Sequence, residues 1–206
     1  SWDTIAETIG SHTIAARAYD AAGNVAVSTG TVTVAPGPGA AEYDPVLKAP
    51  KCATVGNLCD SAALLVGRAL LGPEPNQPNT INNSCTDGTE GAFHFDESLD
   101  RIKVTTLDGT NFAPGNQVRV DSKVFVLGAS YDRLDLYHAS NAPSPSWTYL
   151  TTLTPTGTGL RLLSTTFVLP EGSLQAVRGN FRYAGAISPC SGSDYVSDTP
   201  NQADAA

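Results

Sequence analysis

Between Arg101 and Tyr183 the chain repeats one pattern six times: a run of apolar, β-branched and aromatic residues closed by turn chemistry. The runs are Arg101–Thr106, Gln117–Leu127, Arg133–Ala139, Trp147–Thr152, Arg161–Leu169 and Leu174–Tyr183. Leu107-Asp108-Gly109 and Ala113-Pro114-Gly115-Asn116 stand between the first two, and these residue types favour tight turns. Short strands at this spacing predict an all-β domain over residues 45–206, a jelly-roll-like two-sheet sandwich. The alternation in Val118-Arg119-Val120-Asp121-Ser122-Lys123-Val124 predicts a strand with one wet face. Three prolines in Pro73-Glu74-Pro75-Asn76-Gln77-Pro78 forbid regular pairing there. Ser61–Leu71 is the one stretch with helical potential; Gly67 and Gly72-Pro73 keep it short, and it reads equally well as a strand.

A second, smaller unit precedes this domain. His12–Asp20 places Ile14, Ala16 and Ala18 on one face and Thr13, Ala15, Arg17 and Tyr19 on the other. Asp20-Ala21-Ala22-Gly23-Asn24 is a turn, and Val25–Val34 returns as a β-branched strand. The apolar content of residues 1–34 is too large for a free tail, so an ordered hairpin with a covered face is expected. The predicted division is a partial sheet over 1–35, a Pro/Gly linker over 36–44 and the sandwich over 45–206.

Composition narrows the function classes. Of 206 residues only 16% are charged, and the net charge is −8 with the 12 basic residues scattered, which speaks against nucleic-acid binding. No apolar run approaches a membrane span. Without Met or a signal-peptide pattern, the chain reads as part of a longer exported precursor. Four cysteines, none in a CxxC pair, predict two disulfides and an extracellular or cell-surface location. Four allow three pairings. Cys52–Cys59 is favoured because local closure costs little, leaving Cys85–Cys190, a long-range bridge expected to stabilise by about 4–5 kcal/mol.

Two resemblances sharpen the reading. Trp2-Asp3-Thr4, Gly10-Ser11-His12-Thr13-Ile14, Ala18-Tyr19-Asp20-Ala21-Ala22-Gly23-Asn24 and Thr31-Val32-Thr33-Val34 resemble the last three strands of a bacterial immunoglobulin-like repeat. Cys52–Cys59, Leu71-Gly72-Pro73-Glu74-Pro75-Asn76, Thr80–Gly88, Asp96–Arg101 and Ser146-Trp147-Thr148-Tyr149-Leu150 resemble a C-terminal accessory domain of secreted bacterial peptidases and other hydrolases, myxobacterial ones especially. The second resemblance implies export and a non-catalytic role beside a larger hydrolase, in targeting or stabilisation. Members of that family close on an acidic-then-apolar strand, and Asp198–Ala206 stops where that strand is expected.

Candidate sites are few. No nucleophile elbow, zincin motif, Walker loop or dinucleotide turn occurs. Of His12, His94 and His138, only His94 with Asp96 and some serine suggests a triad, and catalysis is not expected. Asp96, Glu97 and Asp100, joined by Asp198 and Asp204 (with Asp194 nearby) from the far end, are the candidate ligands of a calcium ion, which needs six to eight hard oxygens. The alternative for these acids is turn capping and solvation. Trp147, Tyr149 and Tyr137, with Tyr131 and Tyr183 nearby, form the candidate aromatic platform for a glycan or protein surface; core packing is the commoner use of such a Trp. A further alternative is a self-assembling extracellular subunit that uses the incomplete sheet for strand addition across chains.

Overall fold

A computed structural model describes residues 10–34, 39–67, 72, 74–86, 92–190 and 202–205. Asp194, Asp198 and the Trp2-Asp3-Thr4 motif lie outside them. The chain forms two compact units that divide between Gly37 and Pro38.

The smaller unit is an antiparallel hairpin of β1 (Gly10–Tyr19) and β2 (Val25–Val34), in register from Gly10↔Val34 to Tyr19↔Val25. Its turn is closed by Asp20. One carboxylate oxygen accepts from the amides of Ala22 and Asn24, both at 2.9 Å, and the other from Asn24 Nδ2 at 2.7 Å. Gly23 supplies the positive φ, +83°, that the turn requires. Local chemistry therefore fixes the turn and the register of the hairpin. Ile14 stands on one face of the hairpin and Tyr19, Val25 and Val27 on the other, and all four are exposed, Tyr19 by 66%.

The larger unit is the predicted all-β sandwich. Its predicted boundary at residue 45 lies too late, because β3 (Glu42–Asp44) pairs with β4 (Ala49–Lys51), and Ala40 bridges to Asp60. Beyond these come β5 (Leu58–Asp60), β6 (Ser98–Thr106), β7 (Gln117–Val126), β8 (Asp132–Ala139), β9 (Thr148–Leu153), β10 (Gly159–Val168), β11 (Ala176–Tyr183) and β12 (Gln202–Ala205). One sheet runs β10-β7-β6-β5 and the other β12-β11-β8-β9, with every pairing antiparallel. The last strand does form, on the free edge of β11.

In the first sheet the strand order follows the chain. Strands β5, β6 and β7 are consecutive neighbours, and β10 returns to pair with β7. The first and last strands of the two sheets, β5 and β12, lie in different sheets. The 107–116 turn sends the chain straight back, with Leu107 N donating to Gln117 O at 3.0 Å, so β6 and β7 stay in one sheet.

Period-two burial builds the core. Ile102 and Val104 of β6, Val118, Val120, Val124 and Val126 of β7, Leu134 and Leu136 of β8, and Val177 and Phe181 of β11 form one buried cluster. Gly179 lets the sheets approach; a Cβ there would lie 2.7 Å from Leu99 Cδ2. On the nominally wet face of β7, Asp121 is buried as well, accepting from Ser164 Oγ at 2.6 Å and Arg119 Nε at 3.0 Å. Ser61–Leu71 is neither helix nor strand where described: residues 62–65 form a turn that drops Leu65 into the core.

Both expected disulfides are present, Cys52–Cys59 and Cys85–Cys190. The second holds loops over the outer face of β11. There Arg178, fully buried, donates to Ser84 Oγ at 2.7 Å and to Cys85 Sγ at 3.0 Å.

Candidate functional site

The β8–β9 hairpin and two loops after strand ends enclose an open pocket of about 510 Å³, lined in part by Tyr131, Arg133, Tyr149, Thr152 and Arg182. Its floor is a hydrogen-bonded relay. Arg182 on β11 pairs with the buried Asp135 on β8, Nε donating to Oδ2 at 2.6 Å and Nη2 to Oδ1 at 3.3 Å. Thr152 Oγ1 on β9 donates to the same Oδ1 at 2.6 Å. Tyr149 Oη lies 2.8 Å from Thr152 Oγ1. The threonine has a single hydroxyl proton, already committed to the carboxylate, so Tyr149 must be the donor in this last bond. The phenolic oxygen is left with lone pairs to accept from a ligand.

The walls are fixed by backbone. Arg182 Nη1 also donates to the carbonyls of Ala184 and Gly185, the latter at 2.7 Å, which ties down the loop after β11. Ala184 N donates to Tyr131 O at 3.0 Å, so this loop and the one before β8 move together. Tyr131 packs on Tyr183 with ring centroids 5.2 Å apart. Arg133 is held by three carbonyls: Nη1 donates to Asp132 O at 2.7 Å and Ala129 O at 3.3 Å, and Nη2 to Ser130 O at 3.1 Å. Asp132 turns its Oδ2 to the amides of Leu127 and Gly128, at 3.0 and 2.9 Å, and burial pushes its pKa up.

No family model, curated protein or solved structure matches the chain. The site must therefore be argued from its own chemistry.

Of the three aromatics expected to form one platform, Trp147 stands apart from the two tyrosines. Trp147 packs against the small cluster of Leu47, Ala49, Ile81, Ala142 and Ala176, and the Arg178 guanidinium covers its ring at 4.2 Å. That is core packing with a cation–π contact. Tyr137 is buried, and its ring meets Tyr149 edge-on at 5.7 Å. Only Tyr149 faces the pocket. Burial, with the Asp135 charge nearby, pushes Tyr137 up to about 12.

Two of the expected calcium ligands, Asp96 and Asp100, are held by neighbours. Asp100 is spent on two neighbours, accepting from Ser98 Oγ at 2.6 Å and meeting His94 Nε2 at 2.9 Å. Asp96 Oδ1 accepts from the amide of Glu97 at 3.1 Å, a turn-capping use. Asp204 stands on β12 in register with Arg178, on a strand that also approaches β6, and Asp198 lies outside the described residues. Among the described residues no three His, Cys, Asp or Glu side chains form a metal-binding group.

The suggested triad takes a different form. His94 pairs with Asp100, not Asp96, and Ser98 donates to that same carboxylate. The acid sits between serine and histidine, so this serine has no base to take its proton. The histidine ring is instead stacked between Phe93 and Phe125, at 3.8 and 4.7 Å.

Sequence reasoning missed Arg133, Thr152, Asp135 and Arg182. A usable signal exists for the last two. Arg178, Asn180 and Arg182 alternate with Val177, Gly179 and Phe181, and Asp135 alternates with Leu134 and Leu136, so both strands carry a polar face that demands partners.

Proposed function

We propose that this chain is a non-catalytic extracellular accessory module of a larger secreted hydrolase, binding a glycan or protein surface through the Tyr131–Tyr149 pocket. The observation that carries the reading is the relay from Tyr149 through Thr152 and Asp135 to Arg182, which presents a fixed hydroxyl oxygen beside an aromatic wall. Recognition needs such fixed polar groups on a rigid frame. The two disulfides suit an oxidising location, and no described helix is long and apolar enough to cross a membrane. Calcium stays outside this reading, because Asp96 and Asp100 are held by other neighbours.

Screening the chain against glycan and peptide arrays tests it. Retention that disappears in Tyr149→Ala, with an unchanged melting temperature, supports the pocket. Turnover of any array member that depends on His94 or Ser98 sinks the non-catalytic reading.

A second reading rests on the hairpin. Its exposed Ile14, Tyr19, Val25 and Val27 and its outer strand edges, unpaired among the described residues, suit pairing with another chain, which would make the protein a self-assembling subunit. Light scattering on the chain with and without residues 1–37 separates the two. A monomer at all concentrations removes assembly.

A further inference from the structure

We infer that the ligand of this pocket is an acidic sugar, a hydroxyl-bearing ring whose carboxylate is read by Arg133. The inference rests on the binding role proposed for the pocket and adds the chemical class.

The two arginines of the pocket differ in what they have left to offer. Arg182 is spent: Asp135 neutralises it, and the carbonyls of Ala184 and Gly185 take its remaining amino group. Arg133 is held by the carbonyls of Ala129, Ser130 and Asp132 and pairs with no carboxylate among the described residues. Carbonyls orient a guanidinium without cancelling its charge. The adjacent Asp132 feels the Arg133 charge, but its Oδ2 is turned to the amides of Leu127 and Gly128 and takes none of the guanidinium's N–H donors. Three bonds use three of the five N–H donors, so donors remain for a ligand. A pre-oriented guanidinium with free donors suits a carboxylate.

The other recognition elements choose among carboxylates. Tyr149 Oη can only accept here, because its proton is committed to Thr152, so the ligand must bring a donor such as a sugar hydroxyl. The Tyr131 ring, backed by Tyr183, offers the flat apolar surface against which a sugar ring packs. A uronic acid brings carboxylate, hydroxyl donor and flat ring face on one unit, whereas an acidic peptide has to spread them over several residues. The chain's net charge of −8 opposes a polyanion at long range, so the attraction has to arise at this one pinned cation.

The test uses the whole chain and matched probes: galacturonate, mannuronate, guluronate and glucuronate oligomers, their methyl esters, and an acidic peptide. The ester keeps the ring and hydroxyls and removes the charge. At least one free acid is expected to bind tenfold or more tighter than its ester in titration calorimetry. Arg133→Gln should collapse that ratio to near one, while Tyr149→Phe weakens acid and ester alike. Near-UV dichroism of each variant confirms the fold. Esters or neutral glycans binding as tightly as the acids, with loss in Tyr149→Phe, overturn the acid inference and keep the pocket. Peptide retention alone, dependent on Arg133, overturns the sugar assignment in favour of a protein partner. If no probe and no array member binds, both the inference and the pocket reading fall.

Discussion

The hairpin of residues 10–34 and the sandwich that follows are built from the same strand-forming residues, yet they solve opposite problems. In the hairpin, turn chemistry at Asp20 and Gly23 fixes the register, while apolar side chains on both strands stay exposed. In the sandwich, turn chemistry only delivers the strands, and facing sheets bury the apolar faces of β6, β7, β8 and β11. Pairing is a local property and burial is a global one. The cost of a substitution should therefore depend on which unit holds it more than on residue type.

The largest expected effect belongs to the sandwich alone. Cys85→Ser with Cys190→Ser opens a bridge of sequence separation 105, and chain-entropy reasoning sets the loss at about 4–5 kcal/mol. It also frees the loops that enclose Arg178. Denaturant melts of the double variant should show the sandwich transition moved far down, while hairpin amide exchange stays unchanged. A hairpin that also loses protection would mean the units are coupled, and the comparison would break.

Two glycines make the contrast at single-residue scale. Gly179 faces the core, where an added Cβ would sit 2.7 Å from Leu99 Cδ2 and 3.4 Å from Ile102 and Leu134 methyls. All three neighbours are fully buried and have nowhere to move. Gly179→Ala should cost about 1–3 kcal/mol by overpacking. Gly30, in the middle of β2, has nothing within 4 Å of the same added atom. Gly30→Thr should stabilise the hairpin by about 0.5–1 kcal/mol, because glycine in a strand interior carries the larger entropic loss. Equal effects at the two sites, measured by urea melts and amide exchange, would refute the distinction.

The same distinction separates what was legible in the sequence from what was not. All six strands between Arg101 and Tyr183 and the N-terminal hairpin follow from period-two patterning and from Asp, Gly, Pro and Asn at the turns, which are local signals. The disulfide pairing was legible because loop-closure cost ranks the alternatives. The site was only half legible. Tyr149 and Tyr131 could be named, but Trp147 and Tyr149, two residues apart, meet opposite fates because the loops carrying Leu47 and Ile81 cover one and not the other. Arg133 acquires its role from carbonyls on a loop, and no periodicity in the sequence announces where a loop carbonyl will point.

A buried hydroxyl gives a smaller effect of opposite sign. Tyr137 is 3% exposed, and its Oη has no hydrogen-bond partner among the described residues. On the exposed hairpin water would satisfy such a group; in the sandwich it is a net cost of about 1 kcal/mol or more. Tyr137→Phe should raise the melting temperature. The variant should also lose a pH dependence: a folded pKa raised to about 12 above an ordinary 10 makes the wild type lose stability as pH rises from 10 towards 12. A lowered melting point in Tyr137→Phe would mean that the hydroxyl has a partner in solution.

The smallest effect compares two groups whose pKa values are shifted down for unrelated reasons. His138 is lowered by burial, its ring stacked on Phe167 at 5.4 Å. Asp20, at the hairpin turn, is fully exposed and lowered by its hydrogen bonds from Asn24 and the turn amides. For His138 the unfolded chain takes up its proton first, so stability falls as pH drops below the ordinary value of 6.5. For Asp20 the ionised form holds the turn, so its contribution is present above 3.8 and lost as pH falls through the lowered value. Acid should thus act in two windows, on the sandwich first and the hairpin later. Side-chain NMR titration reads both midpoints, and His138→Phe should remove the first window while leaving the second in place. A His138 midpoint at or above 6.5 would show that water reaches the ring and that this part of the sandwich is as wet as the hairpin.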